Sequence, residues 1–320
     1  MFNKTEKILK KSFKRKHDSG SEISKLSGKR RKMKNGTSIK IEISQCGILR
    51  ETDWQAPRVV LKSSSVLRQY YADMKLMMKS ANGTLYSAIE KMTGRPVCIK
   101  QVTKEQTKTF IKLENGSEMP SEFYFHFKAA QVSKTVVEPL AWLEFRKYYM
   151  IVMEKPVDSI DLFEVSKKYG ALTEPAAMEI LSQLLECAKA LHRAGICHRD
   201  IKDENLLFNM KTFEIKLIDF GSATRVTESK YYSQKGTPEY FPPEFYLEDS
   251  YGAEELTIWS IGAVLYILLT AEWKFEKPYV KRNDIKEQKL SPGIVNILNG
   301  LLCPNPSQRF KFTSLVFTRP

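Results

Sequence analysis

The 320-residue sequence has no uninterrupted apolar run longer than 14 residues, Ile258 to Ala271, which includes Trp259 and Ser260, where a membrane span takes about 20. We read it instead as a buried core helix. Cysteines are few, odd in number at five and far apart (Cys46, Cys98, Cys187, Cys197, Cys303), which excludes a disulfide scaffold. The N-terminus is lysine-rich without the apolar stretch of a secretory segment, so reduced thiols in an intracellular protein are expected. Glycine and proline, at 15 and 14, are too scarce for a collagen-like chain, and no internal repeat is visible. What is present, 42% hydrophobic, 11% aromatic and 28% charged residues, is the composition of a folded chain with a sizeable core, one large domain or two ordinary ones.

Charge divides the chain. Of the net +14, residues 1–40 carry 14 Lys and Arg against three acids (Glu6, Asp18, Glu22), so the remaining residues are nearly balanced at +3. This tail is rich in Ser, Gly and Lys and has no apolar periodicity, so it buries too little surface to offset the entropy of ordering, and we expect it to be disordered. Its two basic clusters, Lys10 to Lys16 and Lys29 to Lys34, suit recognition by a nuclear import receptor, attachment to nucleic acid or an acidic membrane, or simple solvation. Import is the favoured use, placing the protein in nucleus and cytoplasm. Nucleic-acid binding is less favoured because no basic stripe continues into the domain. Residues 41–65 read as a linker or N-terminal extension.

From residue 66 apolar and polar residues alternate between turn signals, predicting strands over Tyr71–Lys79, Gly83–Glu90, Pro96–Thr103, Val137–Phe145 and Tyr148–Glu154. Pro120 and Ser121 start a helix over Glu122–Ala130 whose Phe123, Phe127 and Ala130 share an inward face. Beyond Glu154 the period turns helical, with Pro175 opening Ala176–Ala194 and an apolar helix over Leu256–Leu269. The expected fold is therefore α+β: a small antiparallel sheet lobe with one helix over residues 66–154, then a larger, mainly helical lobe over 155–320.

Chemistry concentrates in His198-Arg199-Asp200-Ile201-Lys202-Asp203-Glu204-Asn205 and Ile215-Lys216-Leu217-Ile218-Asp219-Phe220-Gly221. A carboxylate to orient a hydroxyl nucleophile, then an amide and a second carboxylate to hold hard divalent cations through oxygen, are the requirements of phosphoryl transfer. An isolated Asp-Phe-Gly is commonplace; the joint order and spacing is specific.

With these motifs the sequence resembles the eukaryotic protein kinases, and within them the Pim family of serine/threonine kinases. The resemblance covers roughly residues 66–315 and rests also on Val97-Cys98-Ile99-Lys100, Glu154-Lys155-Pro156 ahead of Asp161-Leu162-Phe163, Gly170-Ala171-Leu172, Pro242-Pro243-Glu244 and Trp259-Ser260-Ile261-Gly262. Pro156 has no N–H to offer an adenine, and Thr257 stands where most kinases carry an Asp; both are Pim-like marks. The resemblance implies a bilobal kinase-like fold, ATP and Mg²⁺ as cofactors, basic protein substrates and a monomer.

It also implies roles. Lys100 reaches the α- and β-phosphates and pairs with Glu122, with Glu118 as the alternative partner if the helix begins earlier. Met77, Gly83, Leu85, Met153, Glu154 and Asp161 line the nucleotide pocket, Met153 at the gatekeeper position. Asp200 orients the substrate hydroxyl, Lys202 neutralises the transferred group, and Asn205 with Asp219 holds Mg²⁺. Asp161, Glu164 and Glu204 receive substrate arginines, since carboxylates hold guanidinium bidentately. Arg199, Glu244 and Arg309 are structural, the last two as a buried ion pair.

Two departures stand against this. The phosphate-covering pattern G-x-G-x-x-G falls on Met78, Ser80 and Gly83, so two glycines that allow close backbone approach are missing. The activation segment between Gly221 and Pro242, with Thr227, Ser229, Tyr231, Tyr232, Ser233 and Thr237 open to phosphorylation beside Arg199, carries Lys230 and Lys235 where Pim-like sequences are more acidic, which puts its constitutive ordering in question. An active basophilic kinase is the leading expectation, a kinase-fold scaffold without turnover the second, and a nucleic-acid-associated protein led by its tail the third.

Overall fold

The structure is a computed structural model that describes residues 58–60, 67–114, 116–272 and 289–315; the basic tail and most of the 41–65 stretch lie outside them. The first lobe contains β1 (Arg58–Val60), a single helical turn α1 (Leu67–Tyr70), β2 (Tyr71–Ser80), β3 (Gly83–Glu90), β4 (Pro96–Thr103), the short pair β5 (Phe110–Lys112) and β6 (Glu118–Pro120), α2 (Ser121–Val132), β7 (Pro139–Glu144) and β8 (Tyr148–Glu154). The main sheet runs β1-β7-β8-β4-β3-β2. Period-two alternation sorts β4 into two faces: Val97 and Ile99 join Ala88, Leu143, Phe145, Met150 and Val152 in a buried cluster, while Cys98 and Lys100 point the other way, half-buried.

β3, β4 and β8 have the limits the alternation predicts. The sheet is antiparallel except at β1, which pairs in parallel with β7, Arg58 opposite Trp142 and Val60 opposite Glu144. Part of the stretch read as a linker thus supplies an edge strand, too short to show a period. In α2 the buried residues are Phe123, Phe125, His126, Phe127 and Ala129; Ala130, expected inward, is only half-buried, because the helix is covered on more than one side.

The second lobe holds β9 (Ser159–Asp161), α3 (Leu162–Tyr169), α4 (Glu174–Arg193), β10 (Ile196–Cys197), β11 (Leu206–Asn209), β12 (Ile215–Leu217), β13 (Thr224–Arg225), α5 (Pro243–Glu248), α6 (Ala253–Thr270) and α7 (Pro292–Leu301). By length and composition α6 is apolar enough to cross a membrane, but 83% of it is buried inside the fold: Ile261, Val264, Leu265 and Leu268 face Ala177, Ile180, Leu181 and Leu184 of α4. A helix apolar on all sides is what a core position demands. Among the described residues Cys98, Cys187, Cys197 and Cys303 are free thiols.

Arg309 closes this lobe from below. Its guanidinium is wholly buried and meets Glu244 through two parallel bonds of 2.7 Å, lies over Trp259 at 5.0 Å, and donates to the carbonyls of Cys303 and Glu255, each at 2.9 Å.

Candidate active site

The cleft between the two lobes collects the residues singled out above. Lys100, mid-strand on the cleft face of β4, places its ammonium 2.6 Å from Glu122 Oε1 and 2.9 Å from Asp219 Oδ1. Glu122 is therefore the partner, in the first turn of α2; Glu118 belongs to β6 and is exposed. Burial alone would depress the Lys100 pKa, but the two carboxylates reverse this and hold it above the usual lysine value. Burial likewise opposes ionisation of Asp219, yet the Lys100 charge and hydrogen bond, together with the Gly221 N–H at 3.1 Å, hold its carboxyl below the usual range. Asp219 sits at φ +62°, a left-handed conformation uncommon outside glycine.

Asp200 is fixed from both sides. Its Oδ1 accepts from Thr237 Oγ1 at 2.7 Å and its Oδ2 from Asn205 Nδ2 at 3.0 Å, and Asn205 Nδ2 also donates to the Asp200 carbonyl at 2.8 Å. The short 3-10 turn Asp203–Asn205 that carries Asn205 is anchored by buried Asp203, which accepts from Tyr240 at 2.8 Å and from the Glu204 N–H at 2.9 Å. Thr237, read from sequence only as a phosphorylation candidate, is a site residue. The segment comes this close because Gly236 adopts φ +114°, where a Cβ would lie 2.2 Å from the Arg199 carbonyl, so only glycine lets it approach the Asp200 loop.

Lys202 pairs with Glu204 at 2.6 Å. Burial would lower its pKa, but the Glu204 bond and nearby Asp200 raise it. Glu204, expected to face substrate arginines, is thus engaged by a lysine of its own loop. Pairing of β9 with β11 sets Asp161 opposite Leu207 and so brings the start of α3 alongside Glu204. There Asp161 caps α3 by accepting the Glu164 N–H at 2.8 Å, and exposed Glu164 meets Lys167 at 3.2 Å.

On the nucleotide side, Cys98 Sγ lies 4.0 Å from Met77 Sδ, Cys98 pairs with Met153 across β4 and β8, and Leu85 faces Lys100 across β3 and β4. Met153 is buried and Met77 48% exposed, an apolar roof with an open edge. The Glu154 side chain turns away to Lys216 at 2.8 Å and Arg95 at 3.5 Å. Gly83 closes the hairpin at φ +131°, where a Cβ would stand 2.5 Å from the Gln101 carbonyl.

Phe220 lies between two histidines, stacked on His126 at 4.9 Å and edge-on to His198 at 4.7 Å. His126 Nε2 donates to the Val137 carbonyl at 2.7 Å, and burial, outweighing that bond, lowers its pKa to about 4. Unfolded His126 titrates near 6.5 and so binds more protons than the folded form between those values. Stability is therefore lost as pH falls from about 6.5 to about 4, by about 3 kcal/mol in full. Urea unfolding at pH 7 and pH 4.5 is expected to show wild type losing about 2 kcal/mol more than His126→Gln; equal losses would refute this.

The segment between Gly221 and Pro242 is tied to the rest of the lobe at several points. β13 pairs with β10, Tyr231 bridges to Tyr251, and the Tyr231 hydroxyl donates to the Arg225 carbonyl at 2.6 Å and accepts from the Thr227 N–H at 3.2 Å. Arg199 donates to the Ser222 carbonyl at 2.7 Å and to Ser233 Oγ at 3.0 Å. Lys230, suspected of disturbing the segment, is tied to Glu248 at 2.6 Å.

Among the described residues no three acidic, His or Cys side chains cluster to hold a metal. The donor set nevertheless suits Mg²⁺, which is usually held by one or two carboxylates and shared with substrate phosphates. The Asn205 amide nitrogen is committed to Asp200, leaving its carbonyl oxygen as the available end, and Asp219 uses only Oδ1 for protein bonds.

The protein kinase domain family model matches residues 71–318. The chain is 33% identical over 249 residues to Serine/threonine-protein kinase pim-2 of Danio rerio, covering 75% of this chain and 80% of that protein. It is 29% identical over 260 residues to Serine/threonine-protein kinase 1 of African swine fever virus, covering 80% and 82%, and 32% identical over 193 residues to Serine/threonine-protein kinase prk-2 of Caenorhabditis elegans, covering 60% and 43%. With a paired Lys100 and Glu122, a doubly held Asp200 and this match over most of its length, the chain belongs to the protein kinase domain family.

Proposed function

We propose that this protein transfers the γ-phosphate of ATP to serine or threonine in basic protein substrates. The observation that carries the reading is the pair of hydrogen bonds on Asp200, which leave its carboxylate held in one orientation between Thr237 and Asn205. A hydroxyl entering beside Thr237 would meet a carboxylate already aimed, which is what general-base or orienting catalysis needs. Lys100 binds the nucleotide phosphates and is itself placed by Glu122. Lys202, two residues after Asp200, would neutralise charge developing on the transferred group. Asp219 and Asn205 would hold Mg²⁺, whose chemistry there would be to neutralise phosphate charge.

Arginine preference follows from Asp161 and Glu164 beside the catalytic loop, with Glu204 exchanging Lys202 for a substrate guanidinium. We further assign the basic clusters of residues 1–40, outside the described residues, to nuclear import, which gives a nuclear and cytoplasmic protein.

Phosphate transfer from labelled Mg-ATP to an arginine-rich serine peptide tests the whole reading. Wild type is expected to transfer, and Glu164→Ala is expected to raise KM for that peptide about tenfold, the worth of a charged hydrogen bond, while leaving KM for a peptide with its arginines replaced by alanine unchanged. No transfer by folded wild type with either Mg²⁺ or Mn²⁺ would favour the scaffold reading, with Met78 and Ser80 as its cause.

A further inference from the structure

We propose that Gln106 is a positioning residue that latches the tip of the phosphate-covering loop and offsets the loss of its first two glycines. The inference rests on reading residues 78–83 as that loop. β2 and β3 stay paired as far as Ser80 opposite Gly83, so the tip is a two-residue turn, Ala81-Asn82. Ser80, in place of a glycine, closes the turn with its hydroxyl, accepting from the Asn82 N–H at 3.2 Å and donating to the Gly83 carbonyl at 3.4 Å. The Ala81 carbonyl is then taken by a residue from another part of the chain: Gln106 Nε2 donates to it at 2.9 Å.

Gln106 is well placed to hold that bond because its own turn is pinned. Its Oε1 accepts from the Thr103 N–H at 3.0 Å and from Thr103 Oγ1 at 2.9 Å, and its N–H donates to Thr103 Oγ1 at 3.2 Å. Thr107 donates to the Thr103 carbonyl through both its N–H, at 3.1 Å, and its hydroxyl, at 2.9 Å. Lys104 fastens the turn to the sheet through Glu144 at 2.8 Å and through its N–H to the Lys147 carbonyl at 3.0 Å. The amide orientation is unambiguous: the Thr103 N–H can only donate and the Ala81 carbonyl can only accept. A glycine-rich loop remains mobile until phosphates order it. Here the side chains of Ser80 and Gln106 order the tip beforehand, so less entropy is lost when a nucleotide binds.

The test compares wild type with Gln106→Ala and Gln106→Glu. Glutamate keeps an acceptor for Thr103 but sets a carboxylate oxygen against the Ala81 carbonyl, so it preserves the turn and breaks the latch. Amide hydrogen exchange of residues 79–83 in the nucleotide-free protein is expected to quicken about tenfold in both variants, with the melting temperature unchanged. KM for ATP is expected to rise three- to tenfold with kcat within twofold of wild type. Unchanged exchange would overturn the latch, and quickened exchange with an unchanged KM would overturn its role toward the nucleotide. Failure of the nucleotide reading itself would be seen in wild type, as absence of binding of a fluorescent ATP analogue, while the exchange arm would still report on the latch.

Discussion

Asp219→Asn is expected to lower phosphate transfer by at least about a hundred- to a thousandfold, the scale seen when one preorganised electrostatic group is removed from a transition state. The substitution keeps the shape of the side chain and removes its charge. Lys100 loses one of its two carboxylate partners, at 2.9 Å, and the cation-binding set loses its charged member, leaving the neutral Asn205. Because Glu122 still pairs with Lys100 at 2.6 Å, the ammonium is not stranded and the fold is expected to survive. Single-turnover transfer at saturating Mg-ATP, with urea unfolding as the control for folding, checks this. A variant that retains a tenth of wild-type rate would remove Asp219 from the chemistry and leave it as a structural partner of Lys100.

Glu244→Ala carries the largest expected loss of stability, about 3–5 kcal/mol, because it leaves the Arg309 guanidinium as an uncompensated buried charge. Side-chain exposure of the pair is 0% and 4%, so water cannot take the missing partner's place. The carbonyls of Cys303 and Glu255 still accept from Arg309, but they are dipoles and do not balance a full charge. With typical domain stabilities of about 5–15 kcal/mol, the variant is expected to unfold at markedly lower urea concentration. The double variant Glu244→Met with Arg309→Met is expected to recover part of the loss, since replacing both members removes the desolvation cost as well as the attraction. Equal stability of the single variant and wild type would mean that solvent enters this corner of the fold.

How much of this was legible beforehand depended on chain length within each element. β3, β4 and β8 are seven or eight residues long and alternate clearly, so their limits followed from sequence. β1, with three residues, cannot display a period and was absorbed into a linker; β9, β10, β11 and β13 have two to four residues each and were invisible for the same reason. β2 was read as one strand, but its register breaks between Ala72 and Lys75 and between Leu76 and Met78, irregularities that pairing partners decide.

Within the candidate site, the groups that sequence could single out are those carried by contiguous motifs, Lys100, Asp200, Asn205 and Asp219, which the fold brings into two contacting pairs. Groups that act through space are not among them. Thr237 reaches Asp200 across 37 residues of sequence and Gln106 reaches Ala81 across 25, and single-sequence spacing holds no record of such contacts. Glu204 was read by its charge as a receiver of arginine, and spacing alone did not show that Lys202, two residues before it, would claim it first.

The paired charges of the cleft have a consequence for the form in which a nucleotide arrives. Lys100 and Lys202 face four carboxylates, Glu122, Asp219, Glu204 and Asp200, so these six groups, when all are ionised, sum to −2. Such a walled cleft focuses its field outward. A bare, polyanionic nucleotide meets a field of its own sign and is repelled at a distance. One that has already shed most of its charge to a cation meets no such barrier. A phosphate donor whose charge is already offset by a cation is therefore expected to meet less repulsion from these carboxylates.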